Sequence, residues 1–373
     1  MKNLSSYVFI LSIVIIIFLS ACHKTDSLTP VFFAPKQILA SPSIANKGLL
    51  LIMDYNGNIT TQKYTSLPAA NFQRWVFGDQ MRYTYLESDT SGNLKGVGYI
   101  PGSVVLMDTN LNVIKKMRLL PYNDHEPLMN ALDGHDFLLI DDNHYIGQAY
   151  IEKTVTNIPG TLNPTTGCKV IIPIIQEVQN GNIIFEWDAS NYPEFYTTSV
   201  EGNKFQDNMV THDYMHLNSL YIDPRDGNLI CSFRNMDQVV KINRKTGNIM
   251  WRLGGKNSDF PLSSDQRFVR QHNVTLTDNN QTLLMYDNGD INLRPYTRIL
   301  EFKLDEINKK LVGYKAFNLP NKMFFQFRGS VQKTDSSYFI GSGEVKYMEI
   351  NYNTGQIILD KDLSSLSYRV LRY

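Results

Sequence analysis

The sequence predicts an all-β chain folded as a six-bladed β-propeller. Three observations carry this reading: one strand–turn–strand unit recurs six times, further strand pairs precede several of those units, and no window keeps the three-and-four apolar spacing of an amphipathic helix.

The six units are LLLIMDYNGNITTQKY around Gly57, GSVVLMDTNLNVIKKMRL around Asn110, VIIPIIQEVQNGNIIFEWD around Gly181, DQVVKINRKTGNIMWRL around Gly247, TRILEFKLDEINKKLVGYKAF around Asn308 and VKYMEINYNTGQIILDKDL around Gly355. Each joins β-branched and aromatic residues through an Asn/Gly/Asp turn, the chemistry of a tight hairpin. Their spacing of roughly 45 to 70 residues leaves room for one more strand pair per unit. Four such pairs are visible: HDFLLIDDNHYIGQAY, HLNSLYIDPRDGNLICSFR, HNVTLTDNNQTLLMYDNG and RGSVQKTDSSYFIGSG. Four strands in each of six units make the propeller. A long β-sandwich is the competing architecture, and it leaves the repetition unexplained.

The N-terminal end reads as a targeting segment. Lys2 supplies a positive n-region, Tyr7 to Leu19 is apolar except for Ser12, and Leu19-Ser20-Ala21-Cys22 resembles a lipobox. The run suits a signal-peptide core better than a membrane span of roughly 20 residues, although an uncleaved anchor helix is the alternative. The expected organisation is a lipoprotein signal peptide over 1–21, a polar tether over 22–35 lipidated at Cys22, and the propeller over 36–373. The expected location is the cell envelope, lipid-anchored on the outer membrane facing the periplasm.

With 36 basic and 36 acidic residues the formal net charge is zero, and no basic block appears. Nucleic-acid binding therefore has no electrostatic support, and membrane contact is expected only through the Cys22 anchor. Cys168 and Cys231 are free to pair or to stay reduced; sequence does not decide which. The absence of CxxC and HExxH spacings argues against a metal site. Asp-rich turns such as Asp223-Pro-Arg-Asp226-Gly read as hairpin turns, since they lack the spacing of a calcium loop.

Of seven histidines, His135, His216 and His272 occupy equivalent places, each opening an inner strand pair. Inner strands line a propeller's channel, so these three imidazoles are expected to share one space. Arg328 or Gly329 holds that place in the last repeat. Arg234 ends the strand after the one His216 opens, and Asn218, two residues beyond His216, is expected on the same strand face. Tyr122, Tyr214 and Phe268 are candidates to stack on an aromatic ligand, although filling the gaps between blades is the favoured reading of each. His23, His125, His144 and His212 fall in the tether, turns or connections.

The ordered set H-x-N around His216, S-x-R ending at Arg234, TGNIMWRLGG, and RQHN followed by DNG resembles the arylsulfotransferase family of bacterial envelopes, most densely from His212 to Phe302. The resemblance implies an aryl-sulfate sulfotransferase that passes a sulfonate from a phenolic sulfate donor to a phenol acceptor, with no nucleotide donor and no cofactor. It implies His272 as the nucleophile that becomes transiently sulfonated. It gives His216, Asn218 and Arg234 sulfate-binding and acid/base roles, and makes His135 the remaining active-site histidine. The extra N-terminal β-domain of some bacterial members is not expected here, which leaves oligomeric state and acceptor range open. A non-catalytic propeller binding a sulfated or phenolic ligand or a protein partner, and an aryl sulfate hydrolase, are the competing functions.

Only the Cys22 sulfur can carry the lipid thioether. Cys22→Ser is expected to move the protein from the detergent phase to the aqueous phase on phase partitioning, and equal partitioning of the two would favour an uncleaved anchor helix.

Overall fold

The computed structural model describes residues 35–44, 46–89, 98–121 and 131–373. The expected signal peptide (1–21) and lipidation site Cys22, together with His23, Tyr122 and His125, lie outside them. Among the described residues the chain forms six antiparallel sheets arranged as a β-propeller.

Blades two to six are continuous in sequence. From the centre outward, blade two is Ala69–Phe77, Gln80–Ser88, Pro101–Met107 and Val113–Met117, with the short strand Leu132–Asp133 added beside Pro101–Met107. Blade three is Phe137–Asp141, His144–Thr154, Lys169–Gln179 and Asn182–Asp188. Blade four is Leu217–Ile222, Leu229–Phe233, Gln238–Ile242 and Ile249–Gly254. Blade five is His272–Thr277, Thr282–Asp287, Arg298–Asp305 and Lys310–Asn318, and blade six is Ser330–Lys333, Ser337–Gly341, Lys346–Asn351 and Ile357–Asp362.

Blade one is assembled from both ends of the chain. Ile38–Ile44, Lys47–Met53 and Ile59–Tyr64 take the C-terminal strand Ser367–Arg372 as their innermost member, with Ile38 opposite Arg372. This closes the ring by main-chain hydrogen bonds that join the two ends of the chain within one blade. Because Ile38 sits at the Arg372 end, the described chain begins at the opposite end of that strand from Tyr368.

The outer turns close through side-chain chemistry. Asp54 Oδ1 accepts the amide N–H groups of Asn56 and Asn58, both at 2.9 Å, and Asp108, Asn243, Asp305 and Asn351 repeat the device in blades two, four, five and six. In blade three, Asn180 and Gly181 (φ 51° and 78°) form a two-residue loop that demands left-handed backbone at both positions.

The third strand from the centre supplies the core. Leu50, Val105, Ile172, Val240, Leu300 and Met348, one per blade, are fully buried between neighbouring sheets. Each contributes about 1.5–3 kcal/mol by leaving water. Cys168 and Cys231 are buried and unpaired.

At the centre, Arg369 of the closing strand makes a two-pronged contact with Asp136, Nη1 to Oδ1 at 2.9 Å and Nη2 to Oδ2 at 3.0 Å. Both side chains are buried. Arg369→Met strands the Asp136 carboxylate without its counter-ion and should cost about 3–5 kcal/mol. Urea unfolding checks this; a loss near zero would mean that closure rests on main-chain pairing alone.

Candidate functional site

One end of the channel opens into two connected chambers. The inner, about 280 Å³, is walled by Tyr99, His135, His216, Arg234, His272, Phe327, Arg328 and Tyr368, with Gly98 and Ile100. The outer, about 390 Å³, shares Gly98, Tyr99, His216, Arg234 and Phe327 and adds Glu201, Asp213 and Asn235 among others. Thus the three histidines and Arg234 singled out from sequence are brought to one cavity.

Each histidine is held by its Nδ1. His272 Nδ1 faces Asn288 Oδ1 at 2.8 Å and the Arg270 carbonyl at 3.1 Å. The Asn288 amide is oriented by its nitrogen, which donates to the carbonyls of Phe325 and Arg328. Both atoms facing Nδ1 are therefore acceptors, so Nδ1 carries the proton and Nε2 keeps a lone pair. Burial, reinforced by the nearby Arg234 charge, holds the His272 pKa well below its ordinary 6.5, so the ring stays neutral.

The other two histidines pair with carboxylates. His216 Nδ1 lies 2.5 Å from Asp213 Oδ2, and His135 Nδ1 contacts Asp133 Oδ1. Their rings stand edge to face with centroids 4.9 Å apart. For His135 burial lowers the pKa and outweighs the opposing pull of Asp133. For Asp213 burial acts upward but is outweighed by His216, Tyr99 and Arg234, so its carboxylate stays ionised. Such pairs fix ring orientation and suit an imidazole that gives and takes a proton.

Arg234 follows Leu229–Phe233 in a 3-10 turn, its amide bound to the His216 carbonyl at 2.9 Å. Its guanidinium is buried, contacts Glu201 at 3.0 Å, and lies 5.8 Å from the centre of the Phe327 ring. Glu201 also meets Arg270 at 3.1 Å.

Asn218 is placed differently from the sequence expectation. The register breaks between Leu217 and Ser219, so two-residue alternation from His216 no longer holds. Asn218 is fully buried outside both chambers, with its amide nitrogen donating to the Gln271 carbonyl of blade five at 2.8 Å. Equivalent bulges place Asn71 against the His135 carbonyl and Asn273 against the Val331 amide, each reaching the next blade's inner strand. Asn218 thus belongs to a set of interblade ties, and the direct sulfonate contact expected of it is not where the structure puts it.

Tyr214 and Phe268 are corrected likewise: Tyr214 packs on Tyr196 and Phe268 on Phe302 in the core. The aromatic walls are instead Tyr99, Phe327 and Tyr368, which sequence reasoning missed, as it missed Asp133, Asp213, Asn288 and Glu201. Asn288 lies in the DNG triplet of the motif, and the D-x-H spacing of Asp133 to His135 was readable as an orienting pair. Outside the site, His144 bonds Glu177 at 2.6 Å and His212 bonds the Asp207 carbonyl at 2.9 Å. Among the described residues no group of three or more His, Cys, Asp and Glu side chains is arranged to hold a metal ion.

Comparison with known proteins gives the following. The profile of the family described as Arylsulfotransferase (ASST) matches residues 84–362, well over half of the chain. No curated protein matches. Among solved structures, a chain of a nidogen/laminin complex is similar at 9% identity, covering 91% of this chain and 98% of that one, with a TM-score of 0.48. The β-propeller domain of Cps50 (Swd1) from Myceliophteria thermophila is similar at 8% identity, covering 88% and 83%, with a TM-score of 0.45. A putative 6-phosphogluconolactonase from Bacteroides fragilis is similar at 8% identity, covering 91% and 98%, with a TM-score of 0.41.

Behind the site, Asp237 accepts the Arg270 amide at 2.8 Å and so helps place the carbonyl that holds His272. Burial, aided by Asp287, pushes its pKa up to about 7 against the opposing pull of Arg234 and Arg270. The folded protein then keeps a proton that the unfolded chain releases near pH 4, so this group's contribution to stability declines as pH rises from about 4 to about 7. Asp237→Asn keeps the acceptor without the charge. It should stabilise the protein at pH 8 by on the order of 2 kcal/mol, with the gain shrinking toward pH 4. Thermal unfolding across that range tests the sign.

Proposed function

The chain belongs to the arylsulfotransferase family and is a sulfotransferase; from that premise we propose that it moves a sulfonate between phenols through a sulfonated His272. The carrying observation is the hydrogen bonding of that ring: Nδ1 faces two acceptors, which commits its proton there and leaves the Nε2 lone pair available.

In the first half-reaction the His272 Nε2 lone pair attacks the sulfur of an aryl sulfate. The S–N bond forms as the S–O bond to the aryl group breaks, and the bonding pair leaves on the phenolic oxygen. His216 or His135, each oriented at Nδ1 by an aspartate, delivers a proton to that oxygen. The ring becomes a cationic N-sulfonated imidazole, with Nδ1–H still held by Asn288 and the Arg270 carbonyl. Arg234 is placed to hold the sulfonate oxygens, where positioning and charge stabilisation carry most of the catalysis, as in phosphoryl transfer. The second half reverses the first: the same histidine removes the proton of an incoming phenol, and its oxygen takes the sulfonate. Tyr99 and Phe327, shared by the chambers, suit an aryl ring placed between the reacting sulfur and solvent.

No nucleotide is needed, since donor and acceptor phenols have similar group-transfer energies. We extend the proposal to cellular context: lipid attachment through Cys22 places the protein in the envelope, on the outer membrane facing the periplasm. The lipobox sequence is the support for this.

With 4-nitrophenyl sulfate, phenol-dependent colour marks a transferase, phenol-independent colour a hydrolase, and no colour a binding protein. The double displacement predicts ping-pong rates and, with donor alone, a burst of 4-nitrophenol close to the amount of enzyme. His272→Ala should abolish both burst and turnover. Because the folded ring resists protonation, the acid limb of the burst rate should fall well below pH 6.5. Intact-mass analysis at alkaline pH should find one added sulfonate in the wild type and none in His272→Ala; undiminished labelling of that variant would place the nucleophile elsewhere.

A further inference from the structure

Blade six breaks the histidine pattern in an informative way. His135 stands two residues before the inner strand of blade three, His216 one before that of blade four, and His272 opens that of blade five. The equivalent place in blade six, two residues before Ser330, holds Arg328. Its side chain lines the inner chamber together with Arg234 and the three imidazoles.

The backbone there is pinned. Arg328 adopts φ 61°, in the left-handed region, as His216 does at 56°. Its carbonyl accepts from Asn288 Nδ2 at 2.8 Å, so one amide side chain fixes both Arg328 and the His272 ring. Gly329 follows with φ 106° against the Tyr286 ring, where a Cβ would approach Cε1 to 2.4 Å, so the chain cannot easily shift. An arginine so placed is aimed by the fold.

The charges around it differ from those around Arg234. Glu201 contacts Arg234 at 3.0 Å and Arg270 at 3.1 Å, so the Arg234 charge is partly answered. Arg328 is half-buried, and among the described residues it has no ion-pair partner and no carboxylate lines the chamber that it faces. A guanidinium in that setting favours an anion with several oxygens.

We propose that Arg328 is a second sulfonate-binding residue, reaching the donor's sulfonate from blade six as Arg234 does from blade four. This rests on the sulfotransfer reading above and adds to it the group that meets the donor's charge. The inner chamber is then a two-arginine oxyanion site, while the outer chamber, which carries Glu201 and Asp213, takes the uncharged aryl body. Arg328 binds the sulfonate equally before and after it reaches His272, so its loss weakens donor capture and leaves attack by the uncharged phenol unchanged.

The experiment uses the folded wild type, Arg328→Gln and Arg328→Lys, in two measurements. Calorimetric binding of inorganic sulfate at constant ionic strength should weaken by about tenfold or more in Arg328→Gln, with Arg328→Lys in between, because an ammonium cannot make two parallel contacts. Initial rates should show donor kcat/KM falling by about tenfold while acceptor kcat/KM stays within about twofold. Sulfate binding in Arg328→Gln as tight as in the wild type, or equal losses in both half-reactions, overturns the assignment. If the variants lose sulfate binding as expected but no protein releases phenol from donor, Arg328 stands as an anion residue and the transfer reading falls. If turnover is robust and the wild type binds no sulfate, the transfer reading stands and the Arg328 assignment falls.

Discussion

The Asp136–Arg369 pair is the constraint on which the rest of the molecule depends. Asp136 also takes the Leu220 amide at 2.8 Å and lies 3.4 Å from the Gln73 amide nitrogen, so blades one, two, three and four meet at one carboxylate. Two buried ions are stable here because almost every lone pair is answered, in a place where a missing partner would be expensive. Asp136 immediately follows His135, and Arg369 immediately follows Tyr368. The contact that seals the ring therefore also sets two walls of the chamber, and ring closure and site assembly become one event.

From that knot outward, polar chemistry is sorted by depth. Deepest are ties that never see solvent: Asn218 to Gln271, Gln271 to Ser232 at 2.9 Å, and Asn273 to Val331. Above them lie imidazoles whose Nδ1 atoms are all spoken for, leaving the opposite ring nitrogens for chemistry. Nearer the mouth lie groups that balance one another, Glu201 with Arg234 and Arg270, and Arg270 with Asp290 at 2.7 Å. Each layer is held by hydrogen bonds to the one below it, an arrangement that suits a site acting through preorganised charge.

Much of this was legible in the sequence, for identifiable reasons. The outer hairpins announce themselves because both strands and the turn are local, and the Asn/Asp/Gly chemistry that closes them is short-range. The convergence of His135, His216 and His272 follows from repeat position alone. Blade one was not readable as a unit, since its inner strand lies over three hundred residues from its neighbours, and the inner pair Ala69–Ser88 of blade two lacked the histidine that opens three of the four recognised pairs. Asn218 misled because strand alternation assumes an unbroken ladder, and a bulge resets it. Tyr99 and Phe327 carry no periodic signal; they lie on connecting segments, whose course is decided by tertiary packing.

The pairing of Ile38 with Arg372 has a consequence for handling and orientation. Tyr368 is at the chamber and Tyr373 is five residues further along the closing strand, about 16 Å at the usual strand rise. The chain enters the propeller beside Tyr373, where Gln37 and Tyr373 exchange main-chain hydrogen bonds of 3.0 and 2.8 Å. Pro35 therefore departs from the floor of the ring, while the chambers open at its roof. A bead or fusion partner joined directly at Pro35 would meet the ring at its floor, away from the chamber mouth, and leave the diffusion path of small aromatic molecules unobstructed.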